Sequence, residues 1–208
     1  MKNIDDDSLD AIRELVNIGV GRAAGQLNQM TGSHIRLQVP TVKILPFADI
    51  ISTESRVLSG DVLSAVLLNF KGTFSGITAV LFPPTSAASL VMLMTGEKEQ
   101  SPELDAMRVE SLKEVGNIII NAVMGSIANV LSERLTYSIP AYYEGSFMAV
   151  TGLQKKTAKD EWVLLARTNF LIESLNIEGN ILLILEVDSL IRLIESIQQA
   201  SYKYGIKR

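Results

Sequence analysis

Cysteine is absent from the 208 residues, and histidine and tryptophan occur once each. The first absence removes disulfides, thiolate metal sites and cysteine nucleophiles together, and it suits a reducing cytoplasm. His34, the sole histidine, follows a Gly-Ser turn. It has no second imidazole for a metal cluster and no Ser–His pairing, so it reads as a loop or strand-start residue. Basic patches interleaved with aromatics are missing and the net charge is −4, which argues against nucleic acid as a partner. Long hydrophobic runs are missing as well. The most apolar stretches are ITAVLF (77–82) and ILLILEV (181–187), both well short of the roughly 20 residues that span a bilayer. The start, MKNIDDDSLD, is acidic where a secretory signal needs positive charge and then an apolar run. These absences predict a soluble, cytoplasmic protein with no membrane span.

Hydrophobic residues make up 47 % of the chain and charged residues 20 %, a globular balance that supports a substantial core. The length fits one large domain or two half-domains sharing a core. One short pattern occurs twice: an acid, three residues, Glu, two residues, Asn. It reads Asp10, Glu14, Asn17 in DAIRELVN and Glu110, Glu114, Asn117 in ESLKEVGN, with the copies 100 residues apart. On a helix, Glu and Asn three apart sit side by side, and the acid four earlier extends the stripe.

Along the chain, Asp5, Asp6, Asp7 and Ser8 are N-cap candidates for a helix from Leu9 to about Met30. Its apolar residues recur at helical spacing, and Asp10, Glu14, Asn17 and Gly21 form a separate stripe. Thr31-Gly32-Ser33 stops it. Strands are expected within 35–45, 56–70 and 72–82, with Pro40 at an edge or end. Pro83-Pro84-Thr85 opens a short helix, and the polar 95–103 is a connector. The order then begins again: a helix over 103–131, extended segments at 135–143, 161–172 and 181–187, and a last helix over 190–205 capped by Asp188 or Ser189.

Matched residues point to an internal duplication. At the offset of 100, Gly25 pairs with Gly125, Pro40 with Pro140, and Asn69-Phe70 with Asn169-Phe170; at 103, Gly76 pairs with Gly179 and Ser86 with Ser189. The fold class is therefore α/β (α+β): two helix–strands–helix units related by a pseudo-two-fold axis. Their strands merge into one mixed or antiparallel sheet flanked by two long motif-bearing helices. Repeat one covers about 5–95 and repeat two about 103–205. Each is too small to hide its apolar strands alone, so residues 1–208 are expected to fold as a single domain.

A lone Glu–Asn pair on a helix is usually a solvated face. Here it recurs at equivalent places in a diverged repeat. Asn costs about 0.5–0.7 kcal/mol against Ala in a helix interior, and each of Gly19, Gly21 and Gly25 about 1 kcal/mol. Such tolerance fits close approach of another backbone, and Gly21 on the stripe would clear space for a partner. Other chemistries lack their parts. GVGRAAG (19–25) resembles a glycine fingerprint only loosely and lies inside a helical pattern rather than after a strand. Glu14 and Glu114 as a glycosidase pair lack a cleft with stacking aromatics; Trp162, Tyr137, Tyr142 and Tyr143 are expected in strands. A Glu–Asn pair does suit action on a labile phosphoryl group held by another protein. The amide can orient water, and the carboxylate can pair with a lysine at the partner's site.

The doubled acid-x-x-x-Glu-x-x-Asn, the NIGVGRAAG after its first copy, and the length together resemble the CheC phosphatases of bacterial and archaeal chemotaxis across essentially the whole chain. The resemblance implies hydrolysis of the phospho-aspartate of the response regulator CheY. Asn17 and Asn117 would position the water, and Glu14 and Glu114 would engage the regulator's lysine. This chain would bind no cofactor and no metal, the Mg²⁺ belonging to the regulator, and CheD is an expected further binder. The family favours Asp or Ser at the first motif position; Asp10 conforms and Glu110 departs. Gly21 is matched by the bulkier Asn121, so the two sites are expected to work unequally. The alternative is a non-catalytic module, a phosphate sink or a flagellar-switch-like adaptor, since the switch proteins FliM and FliY share a similar fold. No switch domain is expected after Arg208, nor a separate regulator-binding peptide at the start. Retention of both Glu–Asn pairs favours catalysis.

Overall fold

Helix α1 (Asp6–Thr31) buries Ile12, Leu15, Val16, Gly19, Val20, Ala23 and Leu27, one stripe at helical spacing. It ends where expected: Gly32 takes a left-handed φ of 64°, and its N–H reaches the Asn28 carbonyl at 2.8 Å. The computed structural model describes residues 6–46, 49–50, 62–96, 103–151 and 162–203. The cap candidate Asp5, residues 56–61 of the second expected extended run and most of the connector lie outside them.

After α1 come β1 (Ile35–Leu37), β2 (Thr41–Pro46), β3 (Leu63–Lys71), β4 (Gly76–Phe82) and α2 (Pro84–Thr95). The second half repeats them: α3 (Glu103–Leu131), β5 (Thr136–Tyr137), β6 (Ala141–Gly145), the short α4 (Phe147–Thr151), β7 (Trp162–Ile172), β8 (Ile177–Glu186) and α5 (Val187–Lys203). Two boundaries differ from expectation. β8 starts at Ile177, because backbone pairing with β7 carries the strand through the weak strand formers Gly179 and Asn180. α5 starts at Val187, so Asp188 and Ser189 lie within its first turn. Ser189 is not free to act as the expected cap: its Oγ accepts the Ser75 N–H at 3.0 Å.

The eight described strands form one sheet in the order β1-β7-β8-β4-β3-β5, with β2 also beside β7 and β6 beside β3. Every described pairing is antiparallel. The pseudo-two-fold passes between β4 and β8. Each repeat gives its first two strands to the other: β1 and β2 extend β7, whereas β5 and β6 extend β3. The exchange is sealed by matching bonds, Gln38 N–H to the Asn169 carbonyl at 3.0 Å and Ser138 N–H to the Asn69 carbonyl at 2.9 Å. Reciprocal serines act across the centre, Ser86 accepting the Glu178 N–H at 3.1 Å as Ser189 accepts that of Ser75.

Alternation along the strands divides the core between two faces. Val66, Leu68, Phe70, Leu164, Ala166 and Phe170 point to the helix layer of α1 and α3. Leu63, Ala65, Leu67, Val163 and Leu165 point to the opposite face, with Phe147 and Val150 of α4. α3 is long and apolar enough to cross a membrane by length and composition. Its apolarity has another cause, since Leu112, Val115, Ile119 and Ile120 are wholly buried in the same core as α1 and the sheet.

The duplicated Gly–Phe matches have a packing role. Phe70 sits opposite Gly76 in the ladder, and Phe170 opposite Gly179. Each ring covers its glycine so closely that a Cβ would meet Phe70 Cζ at 2.7 Å or Phe170 Cζ at 2.3 Å. At Gly76 the Ile184 carbonyl oxygen, at 2.4 Å, adds backbone that cannot swing aside. Gly76→Ala is therefore expected to cost about 1–3 kcal/mol of stability, read as a lower urea midpoint with unchanged m-value.

Candidate functional site

The motif residues occupy the helix faces that the sheet leaves uncovered. On α1, Asp10, Glu14, Asn17 and Gly21 are all exposed, between buried neighbours such as Leu15, Val16 and Val20. On α3, Glu110, Glu114 and Asn121 are exposed and Asn117 is half-buried. Because α1 and α3 share one layer on the sheet, both stripes look outward from that layer. The two Glu–Asn pairs predicted from spacing thus exist as surface features of two packed helices.

The first acid of each motif has a local partner that sequence reading missed. Asp10 pairs with Arg13, and Glu110 holds Lys113 with Nζ–Oε1 at 2.8 Å. A cation therefore precedes each motif Glu, and the acid three residues earlier occupies it. The signal was in the sequence, as Arg13 and Lys113 are also 100 residues apart. Among the described residues, Glu14 and Glu114 form no ion pair, although a cation neighbours each in sequence. Both carboxylates are left to water or to an incoming cation. The Glu110 side chain departs from Asp10 in length and serves the same pairing.

The amides differ. The Asn17 side chain makes no hydrogen bond among the described residues, whereas Asn117 Oδ1 accepts one from Asn121 Nδ2 at 2.9 Å. The first helix has Gly21 where the second has Asn121. Each stripe offers a carboxylate and a carboxamide, a set suited to docking and orienting rather than to nucleophilic attack. Among the described residues no three His, Asp or Glu side chains gather to hold a metal ion. His34 is an exposed residue just before β1, its carbonyl accepting the Glu173 N–H at 3.2 Å.

Two features mount the stripes rigidly. A Cβ on Gly19 would lie 2.8 Å from the Val123 carbonyl oxygen, so this glycine lets the backbones of α1 and α3 meet. Gly21 and Gly25 have nothing within 4 Å, so close approach explains only the first of the three glycines. α3 is also tied to β6 through Arg108, whose Nη2 lies 3.0 Å from Glu144 Oε1. The Tyr142 hydroxyl donates to the same carboxylate. Burial first, then that carboxylate, push the Tyr142 phenol up to about 12, so it stays a neutral donor. Repeat one has Ser8, Val42 and Ile44 at these positions, so this anchor belongs to the second helix alone.

The helix glycines separate packing from surface roles. Gly19→Ala is expected to lower stability by about 1–3 kcal/mol through the clash with α3. Gly21→Ala is expected to raise it by about 1 kcal/mol, the helix propensity gain at an open position. Urea unfolding of both variants checks the opposite signs.

With this geometry in place, the chain is similar to proteins of bacterial chemotaxis. A CheC-like family model matches residues 8–44, which hold the first motif. A model of chemotaxis phosphatase CheX matches residues 64–159, which hold the second. CheY-P phosphatase CheC of Bacillus subtilis (strain 168) is 25% identical over 177 residues, covering 82% of this chain and 83% of the relative. The crystal structure of FliY from Thermotoga maritima superposes with a TM-score of 0.74 at 19% identity, covering 95% of this chain and 99% of that one. The structure of the CheX–CheY–BeF3–Mg²⁺ complex from Borrelia burgdorferi gives a TM-score of 0.58 at 18% identity, covering 84% and 99%. Both solved structures share the fold.

Proposed function

We propose that the chain, by its similarity to the CheC, CheX and FliY group of chemotaxis phosphatases, hydrolyses the phospho-aspartate of a CheY-type response regulator. The observation that carries this reading is the doubled Glu–Asn pair on the outer helix faces, whose exposed Glu has no ion-pair partner among the described residues. A relative named as a CheY-P phosphatase and a neighbour captured in complex with CheY supply the substrate class.

The regulator docks on the outer face of α1 or α3, and Glu14 or Glu114 pairs with a lysine beside its phosphoryl group. That pairing fixes register and draws the lysine aside. Asn17 or Asn117 then enters the partner's site and holds a water in line with the phosphorus, accepting a hydrogen bond from it at Oδ1. The water oxygen bonds to phosphorus as the bond from phosphorus to the aspartyl oxygen breaks. Products are the aspartate carboxylate and inorganic phosphate, and the proton released passes to solvent. No strong base is required, because phosphoryl transfer depends mainly on alignment and charge stabilisation. The Mg²⁺ that supplies charge neutralisation is assigned to the regulator. Asp10 and Glu110 support the motif indirectly, by holding Arg13 and Lys113 away from the docking carboxylate. The reading places the protein in the cytoplasm with its substrate, and the family resemblance adds CheD as a further binding partner.

The test mixes the protein with a phosphorylated receiver domain and Mg²⁺ and follows phosphate loss. Wild type is expected to hasten decay, and the Glu14, Asn17, Glu114 and Asn117 quadruple alanine variant to lose about 100-fold of that catalysis. Undiminished decay in the quadruple variant overturns the site assignment. Binding by wild type without faster decay favours the non-catalytic adaptor.

A further inference from the structure

The two motifs share their core features and differ in what stands beside the Asn. Each has an acid holding a cation at the third residue, a Glu with no ion pair among the described residues, and an Asn beside it. Four residues beyond the Asn, one turn up the same stripe, the helices diverge. α1 has Gly21, with nothing within 4 Å of where a Cβ would stand; α3 has Asn121, whose Nδ2 donates to Asn117 Oδ1 at 2.9 Å. Residues four apart on a helix are neighbours, and an amide–amide bond there holds both side chains.

We propose that Asn121 is a positioning residue that holds the Asn117 amide in one orientation, making the second site pre-organised while the Gly21 side leaves Asn17 free to rotate. This inference rests on the phosphatase reading and deepens it. Asn117 Oδ1 carries two lone pairs; Asn121 takes one and leaves the other for the water. Accepting that bond also polarises the amide, so the outward Nδ2 hydrogens become better donors to a phosphoryl oxygen. At the first site the same orientation must be selected after docking, from rotamers the chain does not restrict. Docking itself depends on Glu14 or Glu114, which is equivalent in both copies. The difference therefore falls on the step in which water is aligned, and it acts on kcat rather than KM.

The experiment isolates each site in the full chain and measures hydrolysis against regulator concentration. With the first site silenced by Asn17→Ala, adding Asn121→Gly is expected to lower kcat about three- to ten-fold with KM nearly unchanged. With the second silenced by Asn117→Ala, adding Gly21→Asn is expected to raise kcat by a similar factor, since the open position admits the side chain. Side-chain amide NMR of the free protein adds a readout independent of catalysis: the Asn117 group should be more ordered than that of Asn17 and lose this order in Asn121→Gly. Equal kcat with and without Asn121, or equal order of the two amides, overturns the proposal while leaving the phosphatase standing. A change confined to KM also overturns it and makes Asn121 a docking contact. If the quadruple alanine variant matches wild type in phosphate release, the phosphatase reading fails first and this proposal falls with it.

Discussion

Neither half of this chain completes its own sheet. β3 and β7 are the outer strands of each repeat's own hairpin, and each would expose a row of unpaired backbone groups, an arrangement that invites association. Each is covered by the first two strands of the other repeat. The exchange makes the sheet continuous from β1 to β5 and creates a face broad enough to seat α1 and α3 side by side. Everything at the candidate site depends on that seat. The inward faces of the two helices are committed to the sheet and to each other, which leaves their outward faces as the only place for polar motif residues.

The closeness of that packing is set by backbone. Gly19 admits the Val123 carbonyl, and Gly116 faces the Val66 side chain, where a Cβ would stand 2.5 Å away. Small residues at the contacts let both helices lie close, and in α3 the cost appears as an apolarity high enough to mimic a membrane span. The helices are not equivalent in anchorage. α3 buries more of its surface and carries the Arg108–Glu144–Tyr142 tie, while α1 relies on its apolar stripe. A duplicated fold can thus keep two copies of one motif while its supporting contacts diverge.

Chemically, the candidate site is sparse, and the proposed reaction asks for little more. An acyl phosphate held by another protein arrives with its own leaving group, and the partner contributes alignment and charge. Under the proposed function, a carboxylate that docks and an amide that orients water would be sufficient for this chain's share. The pairing of the first motif acid with the cation before the Glu gives that acid a defined task and explains why either Asp10 or Glu110 serves, as both reach a side chain three residues on.

How much of this was legible beforehand follows from the range of the interactions. The sequence by itself determined the helix period of both motif stripes, the offset of 100 residues between them, and the strand-rich segments, because these rest on side-chain spacing and local propensity. Matched Gly, Phe, Pro and Ser residues also marked the duplication. Their reasons, a ring over a glycine opposite in the ladder and a serine accepting an N–H across the centre, involve partners far apart in sequence. Strand exchange, the fully antiparallel pairing and the contact at Gly19 were decided only by tertiary structure, since no local pattern states which strand a given edge will meet. The start of β8 belongs there too, because pairing with β7 overrode the poor strand propensity of Gly179 and Asn180. The bond from Asn121 to Asn117 lies between: its spacing was readable, but its existence depends on rotamers that the sequence leaves open and the packed helix resolves.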